Sequence, residues 1–219
     1  MNKRKNKIFY NILKAQSEII SMVLVVVIII ALVGVAYTWG LPLIQKYQST
    51  AVVDRVASSF DQNNPSSLPS EIEFVANTGG EKTFNLDVSG LWQLDETENS
   101  ISFRFASKVT NVAAISTWVS LTPGASYPPT SGISGKDKSS TVFARAEPTG
   151  DGYEIMYKVI FRELDESTTK GYKIKLEKYG DGPTSSTGKT IRIFFGGREL
   201  DTSIPGKTLS ITKVKLLLV

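Results

Sequence analysis

Lys14-Ala15-Gln16-Ser17-Glu18 runs directly into Ile19-Ile20-Ser21-Met22-Val23-Leu24-Val25-Val26-Val27-Ile28-Ile29-Ile30-Ala31-Leu32-Val33, and no charge appears again until Lys46. The uncharged run, Ile19 to Gln45, is 27 residues long. A helix rises 1.5 Å per residue, so about 20 apolar residues cross the ~30 Å core of a bilayer. This run is long enough to span. A soluble core helix of that length would need an equally apolar partner, and nothing downstream supplies one. Five cations (Lys3, Arg4, Lys5, Lys7 and Lys14) precede it with no acid among the first 14 residues. Cations before a single span predict a cytoplasmic N-terminus, with the bulk of the chain exported.

A secretory signal carries a shorter apolar run of about 7–15 residues and a small-x-small cleavage site. Here the run is longer, and Thr38-Trp39-Gly40-Leu41-Pro42 after it is a poor site. The span is therefore expected to stay in the mature protein. The junction before it, from Lys14 to Pro42, resembles the class III signal peptide of archaeal type IV pilins and archaellin-related subunits. Gln16, Ser17 and Glu18 are contiguous here, where the commonest pattern of that family spaces them alternately. The resemblance implies cleavage by a prepilin peptidase between Ala15 and Gln16, with Lys14, Ala15 and Gln16 forming the processing site. It also implies a filament subunit that partners copies of itself and other pilins. An assembly ATPase and its membrane platform would extract it from the membrane. Its location would change from an inserted precursor, N-in and C-out, to an extracellular surface filament serving adhesion.

The residues of the span admit two readings. Glu18 at the head of the helix either sits at the headgroup level, favoured by the helix dipole, or neutralises an N-terminal amine during assembly. Gly34/Thr38 and Ala36/Gly40 form small-xxx-small pairs that let helix backbones approach. Pro42 removes one helical hydrogen bond and predicts a kink. Tyr37 and Trp39 suit the outer membrane interface. Beyond Pro42, the residues Leu43, Ile44, Tyr47, Ala51, Val52, Val56 and Phe60 recur at three- and four-residue steps, so the helix turns amphipathic. One helix is expected over residues 16–60, after a leader of 1–15, with its later half packing on the head.

The rest reads as strands and turns. Asn63-Asn64-Pro65-Ser66-Ser67-Leu68-Pro69 ends the helix, which makes 61–70 a linker and 71–219 an all-β head. Glu71–Ala76 and Lys82–Val88 flank Asn77-Thr78-Gly79-Gly80 and are read as a hairpin. Alternation predicts further strands around Phe103, Tyr157, Ile174, Ile193 and from Leu209 to the end, where a phase slip near Lys213 suggests a bulge. The expected fold class is α+β, with a long hydrophobic N-terminal helix followed by an antiparallel, β-sandwich-like head. Trp92 and Trp118 are expected in its core. The loops Thr122–Ser140 and Gly180–Gly188 are expected to be exposed.

With neither Cys nor His among its 219 residues, the chain has no thiol nucleophile, imidazole base or Cys/His zinc site. Gly182-x5-Gly188-Lys189-Thr190 has one residue too many for a phosphate-binding loop and lacks the Gly such a loop needs at Pro183. Asp95-Glu96-x-Glu98 and Asp165-Glu166 read as solvated turn acids rather than catalytic pairs or calcium ligands. No enzyme, cofactor or metal is expected. The formal charge of +4 belongs to the leader. Residues 16–219 hold 20 Lys and Arg against 21 Asp and Glu, a net of −1, and nucleic acid is not an expected partner. The alternative to a filament subunit is a monomeric, membrane-anchored β-domain that binds a surface or solute.

Overall fold

The computed structural model describes the backbone from Asn2 and the side chains of residues 18–219. The processing junction Lys14-Ala15-Gln16 lies outside the residues whose side chains are described. The chain divides into two units, one ending at Gln48 and the other comprising Ser49–Val219. Helix α1 (Asn2–Phe60) contributes to both, with Pro42 inside it.

Within the second unit, Val53, Val56 and Phe60 of α1 are buried at one-turn spacing, as their amphipathic pattern predicts. The Phe60 ring stacks on Tyr157 at 5.2 Å and Trp92 at 6.0 Å between centroids. Burying an aromatic or aliphatic side chain of this kind contributes about 1.5–3 kcal/mol. Asn64 closes the end of the helix, its Nδ2 donating to the Ser58 carbonyl at 3.0 Å.

A second helix, α2 (Leu68–Thr78), stands where one strand of a hairpin was expected. Leu68, Ile72, Val75 and Ala76 are buried, a three- to four-residue spacing that only a helix brings to one face. Pro69 sits in its first turn, where a missing N–H costs nothing, and Glu71 favours the same end. The Asn77-Thr78-Gly79-Gly80 signal is real, but it marks a helix end. Gly79 and Gly80 both take positive φ (79° and 84°), and the Gly79 N–H returns to the Val75 carbonyl.

Twelve strands follow: β1 (Glu81–Asn85), β2 (Leu91–Asp95), β3 (Ser100–Ser107), β4 (Val119–Ser120), β5 (Gly132–Ile133), β6 (Ser140–Thr149), β7 (Gly152–Phe161), β8 (Glu163–Asp165), β9 (Lys170–Lys178), β10 (Ser185–Ser186), β11 (Thr190–Asp201) and β12 (Thr208–Leu218). They form two six-stranded sheets, in the orders β1-β11-β12-β9-β8-β5 and β10-β2-β3-β7-β6-β4. The second is antiparallel throughout. The first is mixed, which corrects the all-antiparallel expectation: β12 runs parallel to β9, and β5 parallel to β8. Direction could not be read from alternation, because a period of two puts the same residues on one face either way. The irregularity predicted at Lys213 falls on the strand opposite it. Phe195 pairs Val214 and Gly197 pairs Lys213, which leaves Gly196 as the extra residue of a bulge in β11.

Residues of both sheets, α2 and the end of α1 share one apolar core. Trp92 lies in it, 1% exposed. Trp118 does not: it is half-buried, stacked on Tyr127 at 5.5 Å, with the cations of Arg145 and Lys158 over its ring. Most of the Thr122–Ser140 segment is exposed, as expected, but it is anchored to the head at particular residues. Thr122 is buried, accepts from the Val142 N–H and donates to Gln62. Tyr127 packs edge-on against the fully buried Phe143. The segment therefore covers part of a sheet face that would otherwise expose apolar side chains.

Candidate functional site: the exposed apolar stem

Residues 18–48 concentrate the apolar surface that this fold leaves uncovered. Among the described residues, α1 from Glu18 is the one helix long and apolar enough to cross a membrane, and none of its most apolar window is buried. Ile19, Met22, Val23, Val27, Ile30, Leu32 and Val33 are all more than half exposed, on every side of the helix. A soluble protein rarely leaves a contiguous apolar patch larger than a few hundred Å², so a surface of this kind calls for lipid or another protein.

The expected site residues lie along this stem. Glu18 stands at the start of the described segment, the last charge before the apolar run. At Gly34 and Gly40 an added Cβ would meet nothing within 4 Å, so both faces are open to a neighbour. Successive helical residues turn by about 100°, which puts Gly34 and Thr38 on one face and Ala36 and Gly40 on another about 160° away. The pairs are thus brought together within themselves but set on nearly opposite sides. The Thr38 hydroxyl is occupied, donating to the Val35 carbonyl at 3.0 Å. Tyr37 and Trp39 are 68% and 81% exposed, in the C-terminal part of the apolar run. Glu18 to Tyr37 covers about 29 Å of helix, close to the bilayer core.

Of the acids considered for chemistry, Asp95, Glu98 and Asp165 are engaged in local contacts. Asp95 Oδ1 accepts the N–H groups of Thr97 and Glu98, the pattern of a capped turn. Glu98 binds Lys158 Nζ at 2.7 Å and accepts from the Tyr127 hydroxyl at 2.9 Å. Lys207 sits between Asp165 and Glu163. Its ammonium holds the Asp165 carboxyl below the usual carboxylate range, helped by the Ser131 hydroxyl, and the hydrogen bonds it donates to both acids raise Lys207 in turn. Lys189 of the loop-like motif is paired with Asp87, which it holds low, and Thr190 begins β11 rather than a helix. The described residues contain no group of three or more acids placed to hold a metal ion.

Two features escaped the sequence reading. One is Asn99, whose backbone takes a positive φ of 56° and whose side chain links the two sheets. Its signal was present: Asn is among the few residues that tolerate this conformation, and Thr97-Glu98-Asn99 follows a strand pattern. The other is the setting of Arg162 against Gly132, which depends on contacts 30 residues apart and has no local signature.

Comparison with family models, curated proteins and solved structures finds no match to this chain.

Proposed function

We propose that this chain is a pilin-like structural subunit of a surface filament. The observation that carries the reading is the contrast along α1. Residues 18–48 keep an apolar surface with no cover of their own, while Val53, Val56 and Phe60 further along are built into the core of the head. In the precursor, lipid would cover the stem. After a prepilin peptidase cuts between Ala15 and Gln16, stems would pack against one another, exchanging lipid contacts for helix–helix contacts. The two small-residue pairs on nearly opposite faces suit a stem lying between two neighbours, which builds an open assembly rather than a closed pair. Glu18 would meet the new N-terminal amine of its own or a neighbouring chain. The two sheets would face one another as a sandwich and form the outer sheath, available for adhesion. The work is packing, with no reaction catalysed and no cofactor.

The test is the N-terminal mass of the protein from its native cell, together with negative-stain microscopy of the released material. A mature chain beginning at Gln16, free or cyclised to pyroglutamate, with fibres containing it, is the expected result. An intact Met1 terminus or cleavage after Gly40, with no fibres, overturns the reading in favour of a monomeric anchored domain.

A further inference from the structure

A cleft of about 340 Å³ opens in the head among Glu98, Pro128, Ser131, Arg162, Glu163 and Lys173. Its charges are unevenly paired. Glu98 is held by Lys158, and Glu163 is drawn to Lys207, which also binds Asp165. Lys173 is the cross-strand partner of Glu163 in the β8–β9 register, yet Glu163 has its ion pair elsewhere. Among the described residues, neither Arg162 nor Lys173 has a carboxylate partner. The cleft lining therefore sets Arg162 and Lys173 beside two acids, Glu98 and Glu163, that are paired with other cations, and Asp137 lies next to Arg162 over Gly132.

Arg162 is also set in place. Its Nε donates to the Lys138 carbonyl at 3.1 Å, which fixes the plane of the guanidinium and leaves its terminal nitrogens for another acceptor. The group lies over Gly132, where an added Cβ would come within 2.9 Å of Cζ. A side chain at 132 would displace it. An arginine held by a backbone carbonyl, with a lysine lining the same cleft and no ion pair to either, is an arrangement that recognises a planar or tetrahedral oxyanion. Thr97 adds a hydroxyl at the rim, and Pro128 and Pro129 give an apolar wall.

We propose that this cleft is an oxyanion site, in which Arg162 and Lys173 bind a carboxylate or sulfate group. The anion could arrive free or carried on an acidic sugar, and the head would then recognise anionic surfaces whether or not the stem assembles. The test uses the full chain in non-ionic detergent. Inorganic sulfate, D-galacturonate and neutral D-galactose are titrated separately while the amide NMR signals of Gly132 and Lys173 are followed. Sulfate or galacturonate is expected to shift both signals saturably, with a Kd of about 1 mM or tighter, and galactose to leave them in place. Equal binding of the two anions identifies the free anion as sufficient. Binding of galacturonate roughly tenfold tighter shows that the sugar contributes. Both outcomes support the site. Arg162→Gln and Lys173→Gln should each weaken binding roughly tenfold, as expected for loss of a charged hydrogen bond. Lys173→Arg should retain it, and Lys175→Gln, on the same strand but outside the cleft, should not change it. No saturable shift with either anion, equal shifts with galactose, or unchanged affinity in both Gln variants overturns the proposal.

Discussion

Asn99 reaches from the start of β3 to the other sheet and donates its Nδ2–H to the carbonyl of Ile174 in β9 at 2.7 Å. The same amide donates to Phe161 O, and its Oδ1 accepts the Leu176 N–H, both at 2.7 Å. One buried side chain therefore satisfies three backbone groups in two sheets, each of which would otherwise carry the cost of burial without a partner.

Asn99→Ala should consequently destabilise the head by about 3 kcal/mol, with unsatisfied backbone groups outweighing the lost side chain. Asn99→Asp should be at least as harmful, since it sets a carboxylate against two carbonyl oxygens. Asn99→Gly relieves the positive φ but restores none of the three bonds, and should fall between wild type and Asn99→Ala. Urea unfolding of the full chain in detergent, followed by tryptophan fluorescence, measures all three. Equal stability of wild type and Asn99→Ala would remove the bridge from the account.

Phe60→Ala should cost the head about 3–5 kcal/mol, the usual range for emptying an aromatic site in a core. Leu24→Ala, in the exposed stem, should leave the same unfolding transition unchanged. The contrast follows from the division of the chain at Gln48, because only the later part of α1 belongs to the head core. A loss of head stability in Leu24→Ala would show that the two units are energetically joined.

Tyr157 is buried, and burial pushes its hydroxyl up to about 12, against a partial opposing effect from its hydrogen bond to Asn111. A tyrosine raised in the folded state favours folding fully below its unfolded value of about 10. That contribution is lost as pH rises from about 10 to about 12, because the unfolded chain ionises first. The loss should approach roughly 2 kcal/mol. Tyr157→Phe should remove this part of the alkaline decline, measured as the difference in denaturation midpoints between pH 9 and pH 11.5.

Asp165 is held low and Lys207 high by their mutual contact. The Asp165 contribution is present above its unfolded value of about 4 and fades as acid protonates it. The Lys207 contribution is present below about 10.4 and fades as pH rises through its raised folded value. Lys207→Met should therefore lower the melting temperature at pH 7 and flatten its decline between pH 5 and pH 3. An unaltered acid limb would show that this pair does not govern it.

Ala15→Phe should block processing if the junction is read by a prepilin peptidase, because a bulky residue replaces the small one before the cut. The expected result is a precursor heavier than the mature chain by residues 1–15, retained in the membrane fraction. Normal maturation of this variant would place the cleavage elsewhere.

Much of this molecule follows from local pattern. The apolar helical run from Ile19 to Gln45, the amphipathic turn to Val53, Val56 and Phe60, and the alternating strands around Phe103, Tyr157 and Ile193 are set by neighbours in sequence. Hydrophobic periodicity records which face each residue must bury, so composition and spacing alone determine these elements. Tertiary structure decided what depends on residues far apart. Leu68–Thr78 is too short for its helical spacing to outweigh the Gly79-Gly80 hairpin signal, and its burial against the core settles the matter. The parallel pairing of β9 with β12 is a choice between chain directions that present the same faces. The Asn99 bridge and the Arg162 contact with Gly132 join positions with no local relation, because a side chain's partners are fixed only when distant strands close on one another.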